Sequence, residues 1–165
     1  MTAFNALVLA GTRGGTDPFA ESVGVPHKAL IVLGGRTLLA RVVTALREAG
    51  AARICVSANH PAVIAAASAL GVEVLDAAPG PSLSVEQGAR ALGAPLLVTT
   101  SDHALLESEW IRRFLADAPP GADIAALLAS REVVERDAGG TKRTYLPFAD
   151  GGWSGCNLFY LATPD

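Results

Sequence analysis

The 165-residue chain has few charged side chains, and this shortage bears on the partners it can have. Charged residues make up 18% of the chain, its formal net charge is −3, and it contains no basic run. Nucleic acids are bound by clustered lysine and arginine, so the composition argues against a nucleic-acid partner. Half of the residues are hydrophobic, so we expect a globular chain rather than a disordered one.

Long apolar runs are also missing. No stretch approaches the roughly 20 apolar residues that span a membrane, and the start "MTAFNALVLAG" lacks the basic region of a signal peptide. We therefore expect a cytoplasmic protein with no membrane partner. Cysteine occurs only as Cys55 and Cys156, both within apolar runs, so we expect two buried thiols of a reducing compartment rather than a disulfide.

Two common site chemistries find no support in the sequence. The three histidines and two cysteines lack the spacing of zinc ligands. "GWSGC" approaches the nucleophile elbow of hydrolases, but Cys156 replaces its last glycine. All histidines precede Ser154, whereas that enzyme class needs a histidine after its serine.

Strand-like and helix-like segments alternate along most of the chain. Apolar runs predict strands at residues 6–10, 53–58, 72–75, 94–100 and 123–129, with a long irregular loop after the first. Helices are predicted after Thr37 up to Gly50, from Pro61 to Gly71, from about Pro81, and over residues 107–118, where Trp110 is expected to face the core. Beyond Ser130 the pattern changes to an extended segment, a hairpin turn at residues 150–152 and a strand at residues 156–162.

This order predicts one α/β domain over residues 1–165. Its mostly parallel sheet should carry helices on both faces, and a small antiparallel patch should lie near the C-terminus. Ligands of such sheets bind at the carboxyl ends of the strands, so the loops that follow the strands are the candidate sites.

The loop after the first strand is rich in glycine. Gly11, Gly14 and Gly15 let backbone amides approach phosphate oxygens, and Thr12 and Arg13 add donors. Neither a dinucleotide fingerprint nor a Walker-A motif fits these residues. Glycine is also common in turns that end strands, so a phosphate site and a simple turn both remain possible interpretations.

Lys28 and Asp102 are the charged residues of interest. Lys28 could contact a phosphate or be a surface lysine. Asp102 follows a buried strand and could hold Mg²⁺ or cap the next helix. His103 could contact a substrate or order its own loop.

Taken together, these stretches resemble the MobA-like NTP transferases, a nucleotidyltransferase family with a Rossmann-like fold of the GT-A type. "LVLAGTRGG" and "HKALIVLGGRTLL" resemble the two halves of the family's first motif. "PSLSVEQGARAL" resembles its helix start near the base, and "LLVTTSDHALL" its strand and metal-binding aspartate. "GCNLFYL" resembles a later strand whose asparagine faces the acceptor.

The resemblance implies an NTP and a phosphorylated or hydroxylated small-molecule acceptor as substrates, with Mg²⁺ as cofactor and guanine or cytosine as the base. It implies Arg13, Lys28 and Asp102 as catalytic residues, Asp102 also holding the metal. The implied nucleotide contacts are Ala10, Gly11, Thr12, Arg13, Gly14, Lys28, Ser82 and Ser84. The candidate acceptor contacts are His103, Asn157, Lys142 and Arg143, the last two of which could equally belong to a solvated strand edge.

The sequence departs from the family pattern at several positions. Thr12 and Ser101 each replace a glycine, and Ala104 replaces a proline. The chain is expected to lack the family's C-terminal segment, which usually brings a second metal-binding residue. Two other functions stay open: a GT-A glycosyltransferase, although "TSDHA" has one acidic residue where that class has two, and a non-catalytic nucleotide-binding or regulatory protein.

Overall fold

A single seven-stranded sheet forms the centre of the molecule in a computed structural model, which describes residues 3–12, 14, 17–140 and 143–163. The elements in chain order are β1 (Phe4–Ala10), α1 (Pro18–Ser22), β2 (Val32–Leu33), β3 (Arg36–Thr37), α2 (Leu38–Ala49), β4 (Ala51–Ala58), α3 (Pro61–Ala69), β5 (Glu73–Asp76), α4 (Pro81–Leu92), β6 (Leu96–Thr100), α5 (Ser108–Asp117), β7 (Ile124–Ser130), α6 (Arg131–Asp137), β8 (Leu146–Phe148) and β9 (Gly151–Leu161). A short 3₁₀ helix covers Lys28–Leu30. Strands β2 and β3 form a separate small hairpin.

The strand order is β5-β4-β1-β6-β9-β7, with β8 paired to β9. Strands β5, β4, β1 and β6 pair in parallel, so their carboxyl ends meet at one edge of the sheet. Strand β9 runs antiparallel to β6, β7 and β8. The predicted α/β class, the mostly parallel sheet and the antiparallel patch are therefore confirmed.

Helices cover both faces because successive side chains of β1 point to opposite sides of the sheet. Ala6 and Val8 pack in a core cluster that α2, α3 and α5 complete. Leu7 packs on the opposite face, in a smaller cluster that includes Val98 and Leu92 and receives partly buried residues of α4. The three-layer arrangement follows from this alternation.

Helix α2 shows how the local sequence sets an element. The Thr37 side chain accepts a hydrogen bond from the Ala40 amide at 3.2 Å, and Gly50 ends the helix in the left-handed conformation at φ 94°. The apolar face of the helix, which includes Leu39 and Leu46, is fully buried. Each such side chain contributes roughly 1.5–3 kcal/mol through removal from water.

The structure corrects several sequence-based expectations. Trp110 is 52% exposed, because α5 packs through a narrower stripe that contains Ile111 and Phe114. The segment 131–137, which we did not predict to be helical, forms α6 with Ser130 as its N-cap. The hairpin loop is residues 149–150, which overlaps the predicted turn only at Asp150, and β9 begins at Gly151 rather than at residue 156.

Three further observations bear on the other expectations. The loop after β1 is less irregular than predicted, because it holds α1, the 3₁₀ helix and the β2–β3 hairpin. Cys55 and Cys156 are free thiols, buried and half-buried respectively. Among the described residues, the helices are all too short or too polar to cross a membrane.

Candidate functional site

A cleft of about 660 Å³ opens where the carboxyl ends of the parallel strands meet. Predicted site residues that line this cleft are Ala10, Gly11, Thr12, Gly14, Lys28, Ser84, Asp102 and Asn157. Ser82, His103 and Arg143 do not line it, and Arg13 and Lys142 lie outside the described residues. Loops that are far apart in sequence therefore come together at one cleft.

The glycine-rich loop is held in place from the neighbouring strand. A Cβ atom at Gly11 would lie 2.9 Å from Ala77 Cβ, so a glycine is needed for the loops after β1 and β5 to approach each other. The Thr12 amide and hydroxyl both donate to Asn59 Oδ1, at 3.0 and 3.1 Å, and Asn59 Nδ2 donates back to the Thr12 carbonyl at 3.1 Å. Both donors of Thr12 are thus already used within the protein.

An ion pair crosses the cleft. Lys28, on the 3₁₀ helix, places Nζ 2.8 Å from Asp102 Oδ2 and 3.8 Å from Asp17 Oδ2. Asp102 is set at the end of β6, where the buried Ser101 donates its amide to the Leu9 carbonyl at 2.9 Å. The extended strand pairing thus delivers a carboxylate directly opposite the lysine.

Both members of this pair are charged at neutral pH. Burial raises the pKa of Asp102, but the hydrogen bonds from Lys28 and Thr100 and the charge of Lys28 together outweigh burial, so the net pKa lies below the ordinary value. The hydrogen bond to Asp102 raises the pKa of Lys28, and this effect is larger than the opposing effect of burial, which lowers it. The cleft therefore presents a paired cation and anion rather than a neutral acid and base.

Thr100 supplies an unused polar group beside Asp102. Its hydroxyl is close enough to lower the pKa of Asp102, yet Oγ1 is buried and makes no hydrogen bond of normal geometry with the part of the chain that the structure describes. Buried polar atoms are nearly always paired, so an unpaired one in a cleft is suited to a ligand.

These oxygens allow a test of whether the site suits Mg²⁺. Described residues contain no cluster of three or more metal-binding side chains. Mg²⁺ does not require one, because it commonly uses one or two carboxylates and completes its shell with phosphate oxygens and water. Asp102 and the Thr100 hydroxyl therefore fit a cation held largely by a bound polyphosphate.

The opposite wall of the cleft is formed by an irregular part of β9. Asn157 has φ 52°, a left-handed conformation, and lies where the pairing register between β7 and β9 shifts. Its carbonyl accepts a hydrogen bond from Thr99 Oγ1 at 2.9 Å. The bulge thereby directs this asparagine to the cleft instead of into the sheet.

His103 contacts Thr99, which in turn holds the Asn157 carbonyl. Its Nδ1 lies 3.2 Å from Thr99 Oγ1, whose proton is already directed at Asn157. Nδ1 must then be the donor, and the ring links the Asp102 loop to β9. Burial lowers the pKa of His103, although the charge of Asp102 opposes this effect. The lowered pKa favours the neutral ring. This geometry matches the loop-ordering alternative.

The two serines have different surroundings. Ser84 Oγ is buried and accepts the Ala78 amide at 3.0 Å, which ties α4 to the loop after β5. Ser82 is exposed in the first turn of α4.

Arg143 is exposed and lies near Cys156. Burial raises the pKa of the Cys156 thiol, and the positive charge of Arg143 opposes this rise.

Sequence reasoning missed Asn59, His27 and His60. Asn59 directly follows β4, so the strand-end rule applied to the second strand would have found it. His27 and His60 both line the cleft, and their rings are 6.1 Å apart between centroids. No local sequence pattern indicates this proximity, since 33 positions separate the two residues.

Comparison with known proteins identifies a family and a fold. A family model described as the MobA-like NTP transferase domain matches residues 6–136. A hypothetical transferase from Thermus thermophilus is 31% identical with a TM-score of 0.76, over 98% of this chain and 66% of that one. A nucleotidyl transferase from Methanothermobacter is 26% identical with a TM-score of 0.70, over 100% of this chain and 73% of that one.

A more distant neighbour shows the fold alone. It is a CMP:2-keto-3-deoxy-manno-octonic acid synthetase in complex with CTP, 16% identical with a TM-score of 0.65, over 96% of this chain and 74% of that one. The chain spans about two thirds to three quarters of these proteins. A search of curated proteins gave no match.

Proposed function

Because the chain belongs to the family of MobA-like NTP transferase domains, we propose that it transfers a nucleoside monophosphate from an NTP to a small-molecule acceptor. An ionised phosphate oxygen of the acceptor, or a hydroxyl oxygen whose proton passes to solvent, attacks the α-phosphorus. The bond between the α-phosphorus and its bridging oxygen breaks, and pyrophosphate leaves. The observation that supports this proposal is that the Lys28–Asp102 ion pair lies in the same cleft as the glycine-rich loop.

Lys28 binds the triphosphate and offsets the charge that develops on the departing pyrophosphate. Asp102 and Asp17 hold its ammonium group, so it is already positioned in the cleft. Gly11 and Gly14 let the polyphosphate approach the backbone closely. Arg13 is proposed as a second cationic contact from the same loop.

Asp102, together with the hydroxyl of Thr100, would hold Mg²⁺. When bound, Mg²⁺ neutralises phosphate charge and orients the α-phosphate. Asn157 is proposed to contact the acceptor, since the β9 bulge sets it in the cleft. An acceptor phosphate is already ionised and needs no general base, so catalysis then rests on positioning and charge.

The proposal can be tested by thermal stabilisation with each of the four NTPs and Mg²⁺. A ligand present at 100 times its Kd adds about 2.7 kcal/mol to the free energy of unfolding. We expect one NTP to stabilise the wild type strongly and Asp102→Asn weakly. Asp117→Asn is the matched control, because Asp117 is an exposed carboxylate on α5 outside the cleft.

Turnover is then measured as Mg²⁺-dependent pyrophosphate release with candidate acceptors. Binding of an NTP without pyrophosphate release would overturn nucleotidyl transfer in favour of a binding protein. Release of a free nucleoside diphosphate from a nucleotide sugar would instead identify a glycosyltransferase. Absence of stabilisation by all four NTPs would refute the proposal at its first step.

A further inference from the structure

Two histidines that face each other in the cleft serve as helix caps through the same ring atom. His27 Nδ1 accepts the Ala29 amide at 3.0 Å, at the start of the 3₁₀ helix that carries Lys28. His60 Nδ1 accepts the Ala62 amide at 3.2 Å, at the start of α3. Their ring planes are inclined by 44°.

This use of Nδ1 fixes the tautomer of both rings. A nitrogen that accepts a hydrogen bond carries no proton, so the proton of each neutral imidazole is on Nε2. Burial lowers the pKa of His27, and the nearby His60 and Lys28 act in the same direction, while Asp102 and Asp17 oppose them. The His27 ring is accordingly neutral at pH 7, with an N–H donor at Nε2.

That donor remains available to a ligand. His27 is only 4% exposed, yet Nε2 has no hydrogen-bond partner among the described residues and is not one of their fully buried unpaired atoms. Its remaining accessible surface therefore opens to the cleft that the residue lines. The same reasoning applies to Nε2 of His60, which lines the same cleft.

Helix capping alone does not account for histidine at these two positions. Helices α2 and α6, whose first turns lie outside the cleft, are capped by Thr37 and Ser130. Serine, threonine, asparagine and aspartate are the preferred caps. Histidine differs from serine, threonine and aspartate because its second nitrogen is an additional N–H donor, and from asparagine because that donor lies farther from the backbone.

We propose that His27 and His60 are phosphate-binding residues that donate two uncharged N–H groups to the polyphosphate of the bound nucleotide, beside the ammonium group of Lys28. The inference rests on the proposed function for the identity of the nucleotide. Phosphate oxygens are pure acceptors, and both Nε2 atoms are pure donors, so their chemistry is complementary. The pair adds directional contacts without adding positive charge next to Lys28.

Asparagine substitution separates the two roles of each ring. His27→Asn and His60→Asn retain a side-chain acceptor suited to capping, but they replace the distal Nε2–H donor with an amide that ends one bond nearer the backbone. Binding of magnesium tripolyphosphate, of the preferred NTP and of its nucleoside is measured by titration calorimetry. Thr37→Asn is the matched control, since it places the same residue at a cap outside the cleft.

We expect each histidine variant to bind tripolyphosphate and NTP roughly three- to tenfold more weakly, the value of one neutral hydrogen bond. Nucleoside affinity and the unliganded Tm of His60→Asn should match the wild type. If His27→Asn fails to fold, the less buried His60 still decides the matter. Unchanged tripolyphosphate affinity in a folded His60→Asn would overturn the inference.

This experiment also distinguishes the inference from the proposed function. Tripolyphosphate binding requires no transfer reaction, so loss of that binding in the variants supports the histidine pair even where the wild type releases no pyrophosphate. Equal weakening of nucleoside and tripolyphosphate binding would refute it, because the rings would then act on the shape of the cleft as a whole.

Discussion

Substitution of Gly88 by alanine should destabilise the protein although it lies in the middle of a helix. A Cβ atom at this position in α4 would lie 2.5 and 2.9 Å from the two Cδ atoms of Leu7. Carbon atoms make favourable contact at about 3.5–4.0 Å. Leu7 is fully buried in the central strand, so its side chain has little room to move away.

Two opposing effects set the magnitude. Alanine is about 1 kcal/mol better than glycine in a helix interior, whereas overpacking of a core costs roughly 1–3 kcal/mol. The net loss in Gly88→Ala is then up to about 2 kcal/mol, which corresponds to several degrees in Tm for a domain of this size. The α4 helix would shift away from β1, and Ser84 one turn earlier would move with it.

A double-mutant cycle in urea tests the explanation. In a Leu7→Ala background the clash is absent, so Gly88→Ala should become stabilising by up to about 1 kcal/mol. The effect of one substitution thus changes sign with the residue it faces. An equal destabilisation by Gly88→Ala in both backgrounds would refute the packing argument, and so would a stabilised single variant.

Three more predictions concern charge, backbone and thiols. The pKa of Asp102 is lowered in part by Lys28, so their ion pair stabilises the fold above the ordinary aspartate pKa of about 3.9. This stabilisation is lost as the pH falls through the lowered pKa. The wild type should therefore have a higher Tm than Lys28→Met at neutral pH, and the difference in Tm should shrink below about pH 4. Asn157→Ala should be less stable than Asn157→Gly by about 1 kcal/mol in urea unfolding, because φ is 52° there; equal stabilities would contradict this. Burial raises the pKa of Cys55 to about 11, so Cys156→Ser protein should react with a thiol reagent at pH 8 only on unfolding.

The elements that the sequence predicted correctly are those whose signals are local. Thr37 and Gly50 bound α2 because a side-chain cap and a left-handed glycine act within one helical turn. Residues 6–10 read as a buried strand because a continuous apolar run needs cover on both faces. α6 was missed because a seven-residue helix has too few turns to show a periodicity.

Most of the residues that the family resemblance singled out lie on loops that meet at one cleft. Lys28 and Asp102 were singled out separately, and the rule that ligands bind at strand carboxyl ends brought them to one edge of the sheet. That they form a 2.8 Å ion pair was not contained in either motif. Their roles in catalysis, the catalytic role of Arg13 and the acceptor contact of Lys142 remain predictions.

What the sequence by itself determined is most of the succession of strands and helices, the limits of α2 at Thr37 and Gly50, and the loops that face the cleft. Only the tertiary structure decided that β9 inserts between β6 and β7, that Asn59 holds Thr12, and that His27 meets His60. Caps and periodicities depend on neighbours a few positions away, which the sequence displays. Contacts across the sheet depend on strand order and register, which many distant side chains set together by burying their apolar surface.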